Sequence, residues 1–302
     1  MRVLSCVLLA FLAVAPGVEA QRRGGGPPGA GAPQGGGGRG AAAARRSTVE
    51  SVTVRSTALA GNTAGTSPDR TVSVYLPPSY ASDPARRFPV VYLLHGEGAT
   101  ETTFIDGIGR LVESADALAS AQGFSEPIVV TPNAATGPAG AMYASSPASG
   151  DWERFITEEL VAYIDGKYRT LTARMSRGLA GHGTGGYAAL RIAMKAPKQF
   201  SSLYVLSPCC LTSEAVATLE RDAARLQSYY AVAFDIGVKD PQLPQMRALH
   251  DALVRQHVPH YYEEYDGDAS NRVRERLDRR VIPFFSTYLV AAANPSSPQV
   301  KD

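Results

Sequence analysis

A chain of 302 residues with 44% apolar and 19% charged side chains and a formal net charge of +2 has the balance of a folded globular protein. That balance excludes a chain disordered throughout and carries no nucleic-acid footprint. Its three cysteines fit no zinc spacing and no disulfide framework, and no motif calls for a metal or another cofactor.

Residues 1–20 read as a secretory signal: Arg2, an apolar run from Val3 to Val14, and Val18-Glu19-Ala20 as a small-residue cleavage site. The run is too short to cross a bilayer, so no transmembrane segment is expected and the location is secreted or periplasmic. Cys6 precedes most of that run and so does not mark a lipoprotein signal. Residues 21–47 contain Gly, Pro, Ala and five arginines but no acidic residue. Such a segment buries too little apolar surface to offset its ordering entropy. It is expected to be a disordered tether, acting as a plain spacer or as a basic arm toward anionic lipid, polysaccharide or cell wall. Without those arginines residues 48–302 carry about −3. Residues 48–292 are long enough for one α/β domain, followed by a flexible tail at 293–302.

Within the body, β-branched and aromatic runs predict strands at Thr48–Arg55, Arg70–Leu76, Phe88–Leu94, Pro127–Thr131, Arg177–Gly181, Ser202–Leu206, Tyr229–Asp235 and His260–Tyr265. Helical periodicity predicts helices at Thr102–Ala121, Trp152–Tyr168, Thr184–Ala196, Ser213–Gln227, Pro244–Gln256 and Asn271–Val290. This alternation predicts one α/β domain with a mostly parallel, doubly wound sheet and a site at the carboxyl ends of the strands. Cys209 and Cys210 are adjacent, and a bridge between neighbours closes a strained ring, so two buried thiols are expected.

Gly181-His182-Gly183-Thr184-Gly185-Gly186 has the frame of a Gly-X-Ser-X-Gly nucleophile elbow with glycine at its centre. Glycine has no hydroxyl with which to attack an acyl carbon. Three further motifs share the order and spacing of one family: Val90-Val91-Tyr92-Leu93-Leu94-His95-Gly96, Gly150-Asp151-Trp152-Glu153 and Gly237-Val238-Lys239-Asp240. Together they resemble the esterase family of α/β-hydrolases that includes S-formylglutathione hydrolases, feruloyl esterases and mycolyltransferases, over most of residues 70–290. The resemblance implies an α/β-hydrolase fold of about eight strands and a triad ordered Ser, Asp, His. It sets the serine at Gly183, the acid at Asp240 and the histidine at Ala269, in a stretch reading Gly267-Asp268-Ala269-Ser270-Asn271-Arg272. All five histidines lie at or before His260, so none falls in that last loop.

Without an imidazole Asp240 has nothing to orient, and no base is in place to activate a hydroxyl. The resemblance also implies an oxyanion hole from the backbone N–H of Thr184 and one from the Gly96–Gly98 loop. Glu97 in that loop would discourage anions. Thr184 and Ser207 are candidate substitute nucleophiles, neither with a visible base. His95 and His182 are expected to shape loops. Asp151, Asp240 and Asp268 could converge on a metal, with helix capping the plainer reading. Trp152 and Tyr143 could contact substrate, although packing explains the tryptophan equally well. The expected protein is an exported pseudo-esterase whose cleft holds a small ester, a carbohydrate or a protein partner; the alternative is an active carboxylic-ester hydrolase or acyltransferase with a non-standard nucleophile.

Overall fold

The computed structural model describes residues 46–121, 123–135 and 143–291. The expected signal at 1–20, nearly all of the tether at 21–47 and the tail at 293–302 lie outside the described residues. Eight strands form one sheet in the order β1-β2-β4-β3-β5-β6-β7-β8. They are β1 (Thr48–Arg55), β2 (Asp69–Leu76), β3 (Val90–Leu94), β4 (Ile128–Pro132), β5 (Arg177–Gly183), β6 (Ser202–Pro208), β7 (Ala231–Gly237) and β8 (Tyr261–Tyr265). β1 pairs antiparallel with β2, and β2 antiparallel with β4; every other neighbour pair is parallel. The expected mostly parallel α/β sheet is therefore present.

Strand sequence and strand position agree. β3, Val-Val-Tyr-Leu-Leu, is buried at every residue, as a central parallel strand covered on both faces must be. The outer strand β1 alternates near its end, with Val52 and Val54 buried between exposed neighbours. Along β3 the side chains divide between two cores: Val90, Tyr92 and Leu94 on one face, Val91 and Leu93 on the other. The first face is covered by α3 (Trp152–Arg154), α4 (Leu160–Lys167), α5 (Thr184–Lys195), α6 (Ser213–Asp222) and α7 (Leu243–Arg255). The second is covered by α2 (Leu111–Ala119), α8 (Val273–Arg276) and α9 (Ile282–Tyr288).

The helices depart from expectation in instructive ways. The helix expected from Thr102 begins only at Leu111. A Cβ on Gly107 or Gly109 would stand 2.6 or 2.7 Å from the carbonyl oxygen of Thr103 or Phe104, and Arg110 takes a left-handed φ of 44°, so these residues form turns. The expected 152–168 helix is helical through Lys167 but holds a π turn at Phe155–Glu159, and another π turn, Leu277–Val281, joins α8 to α9. The expected 213–227 helix tightens into a 3₁₀ turn at Ala223–Ser228. A short helix, α1 (Pro78–Ser82), gave no periodic signal. β3 starts at Val90; Phe88 makes only an isolated bridge to Thr170.

After β3 the chain places β4 on one side and, after α4, β5 on the other. Strand order thus reverses between β3 and β5, and the two loops leaving their carboxyl ends diverge to leave a crevice.

Candidate functional site

Gly183 ends β5 and precedes the first turn of α5, with φ 58° and ψ −121°. An L-residue there would be strained by roughly 1–3 kcal/mol, whereas glycine is not. Space is not the constraint, since the nearest heavy atom to an added Cβ would be Gly96 Cα at 3.8 Å. The flanking glycines are held by contact. A Cβ on Gly181 would lie 2.1 Å from the Gly185 carbonyl oxygen, and one on Gly185 would lie 2.3 Å from that of Leu94. These clashes are with backbone, so they cannot be relieved by a rotamer change. Gly181→Ala is expected to cost about 1–3 kcal/mol or more of stability, measured by urea unfolding.

The crevice is a cleft of about 270 Å³ lined by Gly96, Glu97, Phe104, His182, Thr184 and Cys209, with Gly183 on its floor. The first amides of α5 have no carbonyl partner within the helix and carry its positive dipole end. Thr184 is buried at that end, and a Cβ on Gly96 would stand 3.9 Å from Thr184 N, so the loop after β3 runs close to this amide. Glu97 is exposed at the rim.

The two flanking histidines differ. His95 is buried and uses both ring nitrogens: Nδ1–H donates to Gly96 O (2.8 Å), and Nε2 accepts from Ala134 N–H (2.9 Å). Burial lowers its pKa, and its role is to hold the β3 loop, as expected. His182 is half-buried, and its Nε2–H donates to the carbonyl of Ala269 at 2.7 Å. That leaves Nδ1 as an acceptor. Desolvation pushes its pKa down to about 4, against the pull of the Ala269 hydrogen bond, so the ring is neutral at neutral pH. The unfolded chain therefore takes up a proton below about pH 6.5 that the folded chain refuses until about pH 4, and stability rises with pH through that window. Asp235, below, acts in the opposite sense over part of the same range, so the test is a difference. The drop in Tm between pH 7 and pH 5 is expected to be smaller in His182→Gln than in the natural protein.

Asp240 follows β7 and is buried. Its Oδ1 accepts from Gln242 N–H at 2.8 Å, while Oδ2 is buried with no hydrogen-bond partner among the described residues. The loop bearing Ala269 is shaped by Asp268, whose Oδ1 accepts from Ser270 N–H (2.9 Å), Ser270 Oγ–H (2.6 Å) and Asn271 N–H (3.2 Å). The Ser270 hydroxyl bond, above all, lowers the Asp268 carboxyl pKa. Beneath this loop lies a network that sequence reading missed. Arg276 Nη1 donates to Asp235 Oδ1, Ser207 Oγ and Tyr265 Oη, each at 2.8 Å, and Tyr265 O–H donates to Asp268 O at 2.6 Å. Burial pushes the Asp235 carboxyl up to about 6, opposed by the Arg276 charge.

Other expectations resolve accordingly. Ser207 is committed to the Arg276–Tyr265 network, with the Asp235 carboxylate on its backbone N–H rather than on its hydroxyl. Asp151 caps α3, accepting from Arg154 N–H at 3.0 Å. No three acidic, histidine or cysteine side chains converge as a metal site among the described residues, so Asp151, Asp240 and Asp268 stand apart. Trp152 and Tyr143 are buried and pack edge-to-face at 5.8 Å, and the Tyr143 hydroxyl donates to His95 O at 3.1 Å, so both belong to the packing rather than to the cleft lining. The expected buried thiols are a correction: Cys209 and Cys210 form a disulfide, Cys209 is half-buried and Cys210 is exposed. Cys210 takes a left-handed φ of 65°, a turn that the spacing of the two residues does not reveal.

The family described as "Putative esterase" matches residues 63–275. Esterase MT1326 of Mycobacterium tuberculosis (strain CDC 1551 / Oshkosh) is 32% identical over 139 residues, 43% of this chain and 27% of that protein. Esterase Rv1288 of Mycobacterium tuberculosis (strain ATCC 25618 / H37Rv) matches to the same extent. The chain thus spans only 27% of the length of these curated relatives. Among solved structures, a ferulic acid esterase superposes with TM-score 0.69 at 24% identity, covering 80% of this chain and 99% of the other. An S-formylglutathione hydrolase (FrmB) from Staphylococcus aureus gives TM-score 0.64 at 17% identity, with 80% and 99% covered. A feruloyl esterase module from Clostridium thermocellum gives 0.66 at 18%, with 83% and 92% covered. Sheet order, elbow and family match agree, and the chain belongs to this esterase family of α/β-hydrolases.

Proposed function

We propose that this chain is an exported esterase-family protein that binds a small acyl or carbonyl-bearing ligand in the cleft without hydrolysing it. The observation that carries this reading is Gly183: it keeps the backbone of a nucleophile elbow, φ 58° and ψ −121°, on an intact frame, and has no side chain to attack with. Asp240 Oδ2, buried without a partner among the described residues, is consistent with a triad acid whose imidazole has been replaced by the methyl group of Ala269. Partnerless buried carboxylate oxygens are costly, which fits a site inherited rather than newly built.

Binding features outlast the triad because they are backbone. The amides at the start of α5, where Thr184 lines the cleft, would hold a carbonyl oxygen, and Phe104 and Ile108 supply an apolar wall. The apolar run at Val3–Val14 supports export, with the arginine-bearing segment 21–47 behind the cleavage site.

The test is hydrolysis of p-nitrophenyl acetate and butyrate by exported, non-reduced protein, whose amino terminus is expected at Gln21. No turnover above the uncatalysed rate and no labelling by a fluorophosphonate are expected. Steady multiple turnover by the non-reduced protein would overturn the reading.

A further inference from the structure

The cleft contains one feature that a binding role leaves unused, the disulfide Cys209–Cys210 in its wall. Cys209 follows β6, and its N–H donates to Gly183 O at 3.1 Å, so its backbone lies one hydrogen bond from the elbow turn. Cys209 shares the cleft lining with His182 and Thr184. His182 is anchored through Nε2–H to the Ala269 carbonyl, which leaves Nδ1 as the ring's acceptor, one that with a pKa near 4 relays a proton to a leaving group rather than holding it. A helix amino terminus beside a thiol favours its thiolate form. Nucleophile, base and oxyanion donors would therefore line one cleft as soon as the sulfur is released.

We propose that reduction of the Cys209–Cys210 bond by an external dithiol makes Cys209 an acyl-accepting thiol toward activated esters and thioesters, with His182 as its proton acceptor and the α5 amides as oxyanion donors. The dithiol supplies two electrons and two protons and leaves as its own disulfide, giving Cys209 and Cys210 thiols. The Cys209 thiol proton passes to His182 Nδ1 as sulfur bonds to the acyl carbon. The bond from that carbon to the leaving alcohol or thiol breaks, and the proton passes to the leaving group. Water then adds to the thioester with His182 taking its proton; the carboxylic acid departs and the thiol is regenerated. This goes beyond the binding role above, which concerns the disulfide form.

The experiment compares reduced Cys210→Ser and Cys209→Ser proteins with p-nitrophenyl acetate, following nitrophenolate release and intact mass. Cys210 is the more exposed residue, so exposure alone predicts faster acetylation of Cys210. The proposal predicts the reverse: Cys209 acetylated at least about tenfold faster than Cys210, with His182→Gln added to Cys210→Ser slowing it by about tenfold or more. Peptide mapping of acetyl groups on the dithiol-reduced natural protein gives the same comparison should either variant fold poorly. Equal rates, faster Cys210, indifference to His182→Gln, or a disulfide that a dithiol does not open would each overturn it. Turnover without reductant would instead count against the binding role and leave this comparison intact.

Discussion

Ester hydrolysis is expected to appear, at least about a hundredfold above the natural protein, when Gly183→Ser and Ala269→His are combined in the non-reduced chain. The direction follows from the roles: a hydroxyl on the elbow, an imidazole in the last loop and the existing Asp240 would rebuild a nucleophile, a base and an orienting acid. Loss of such a set costs on the order of 10⁶ in turnover, and a hundredfold regain allows for imperfect placement. Gly183→Ser alone is expected to give less than about a tenfold gain, because a hydroxyl without a base is a weak nucleophile. The new side chain has room, with Gly96 Cα as its nearest neighbour at 3.8 Å from Cβ, and its cost of about 1–3 kcal/mol is backbone strain. Asp240 Oδ2 is the acceptor available to orient the new ring. Nitrophenolate release and fluorophosphonate labelling of Ser at 183 are the readouts. A double variant that folds yet stays inert would count against reading Gly183 and Ala269 as vacated triad positions.

The largest loss of stability is expected from Arg276→Met. Arg276 and Asp235 pair at 2.8 Å with side-chain exposures of 6% and 2%, and the same guanidinium nitrogen reaches Ser207 and Tyr265. Removing one partner of a buried pair leaves an uncompensated charge and costs about 3–5 kcal/mol. The sign of its pH dependence is fixed by Asp235. Its carboxyl already titrates near 6 beside the arginine, and without that charge its pKa rises further, so acidification neutralises the stranded group. Urea unfolding of Arg276→Met should therefore show a smaller loss at pH 5 than at pH 8. Adding Asp235→Asn should recover part of the loss, and strict additivity of the two changes would argue against coupling.

All eight strands were legible because β-branched and aromatic runs such as Val90–Leu94 and Ile128–Thr131 have no other use in a chain of this composition. The elbow was legible because its glycines are fixed by contact: Gly181 and Gly185 admit no side chain against the backbone they touch. Asp151 was legible as a cap because it immediately precedes a helix. What escaped was long-range. The Asp235–Arg276 pair joins residues 41 apart and the His182–Ala269 bond residues 87 apart, with no local pattern at either end. The failure at Thr102–Arg110 was local: an apolar spacing suited to a helix was outweighed by Gly107, Gly109 and the left-handed Arg110. The disulfide escaped because it depends on the turn at Cys210, which adjacency alone argued against.

The glycines around the elbow have a further consequence for how such chains persist. Because β5, α5 and the β3 loop touch through Gly181 and Gly185, mutation at those points is removed by misfolding whether or not a reaction depends on them. The turn between β5 and α5 is thus kept by the demands of folding alone. A strand-turn-helix signature of this kind therefore marks the fold, and whether a reaction accompanies it is a separate matter for the side chains of the cleft.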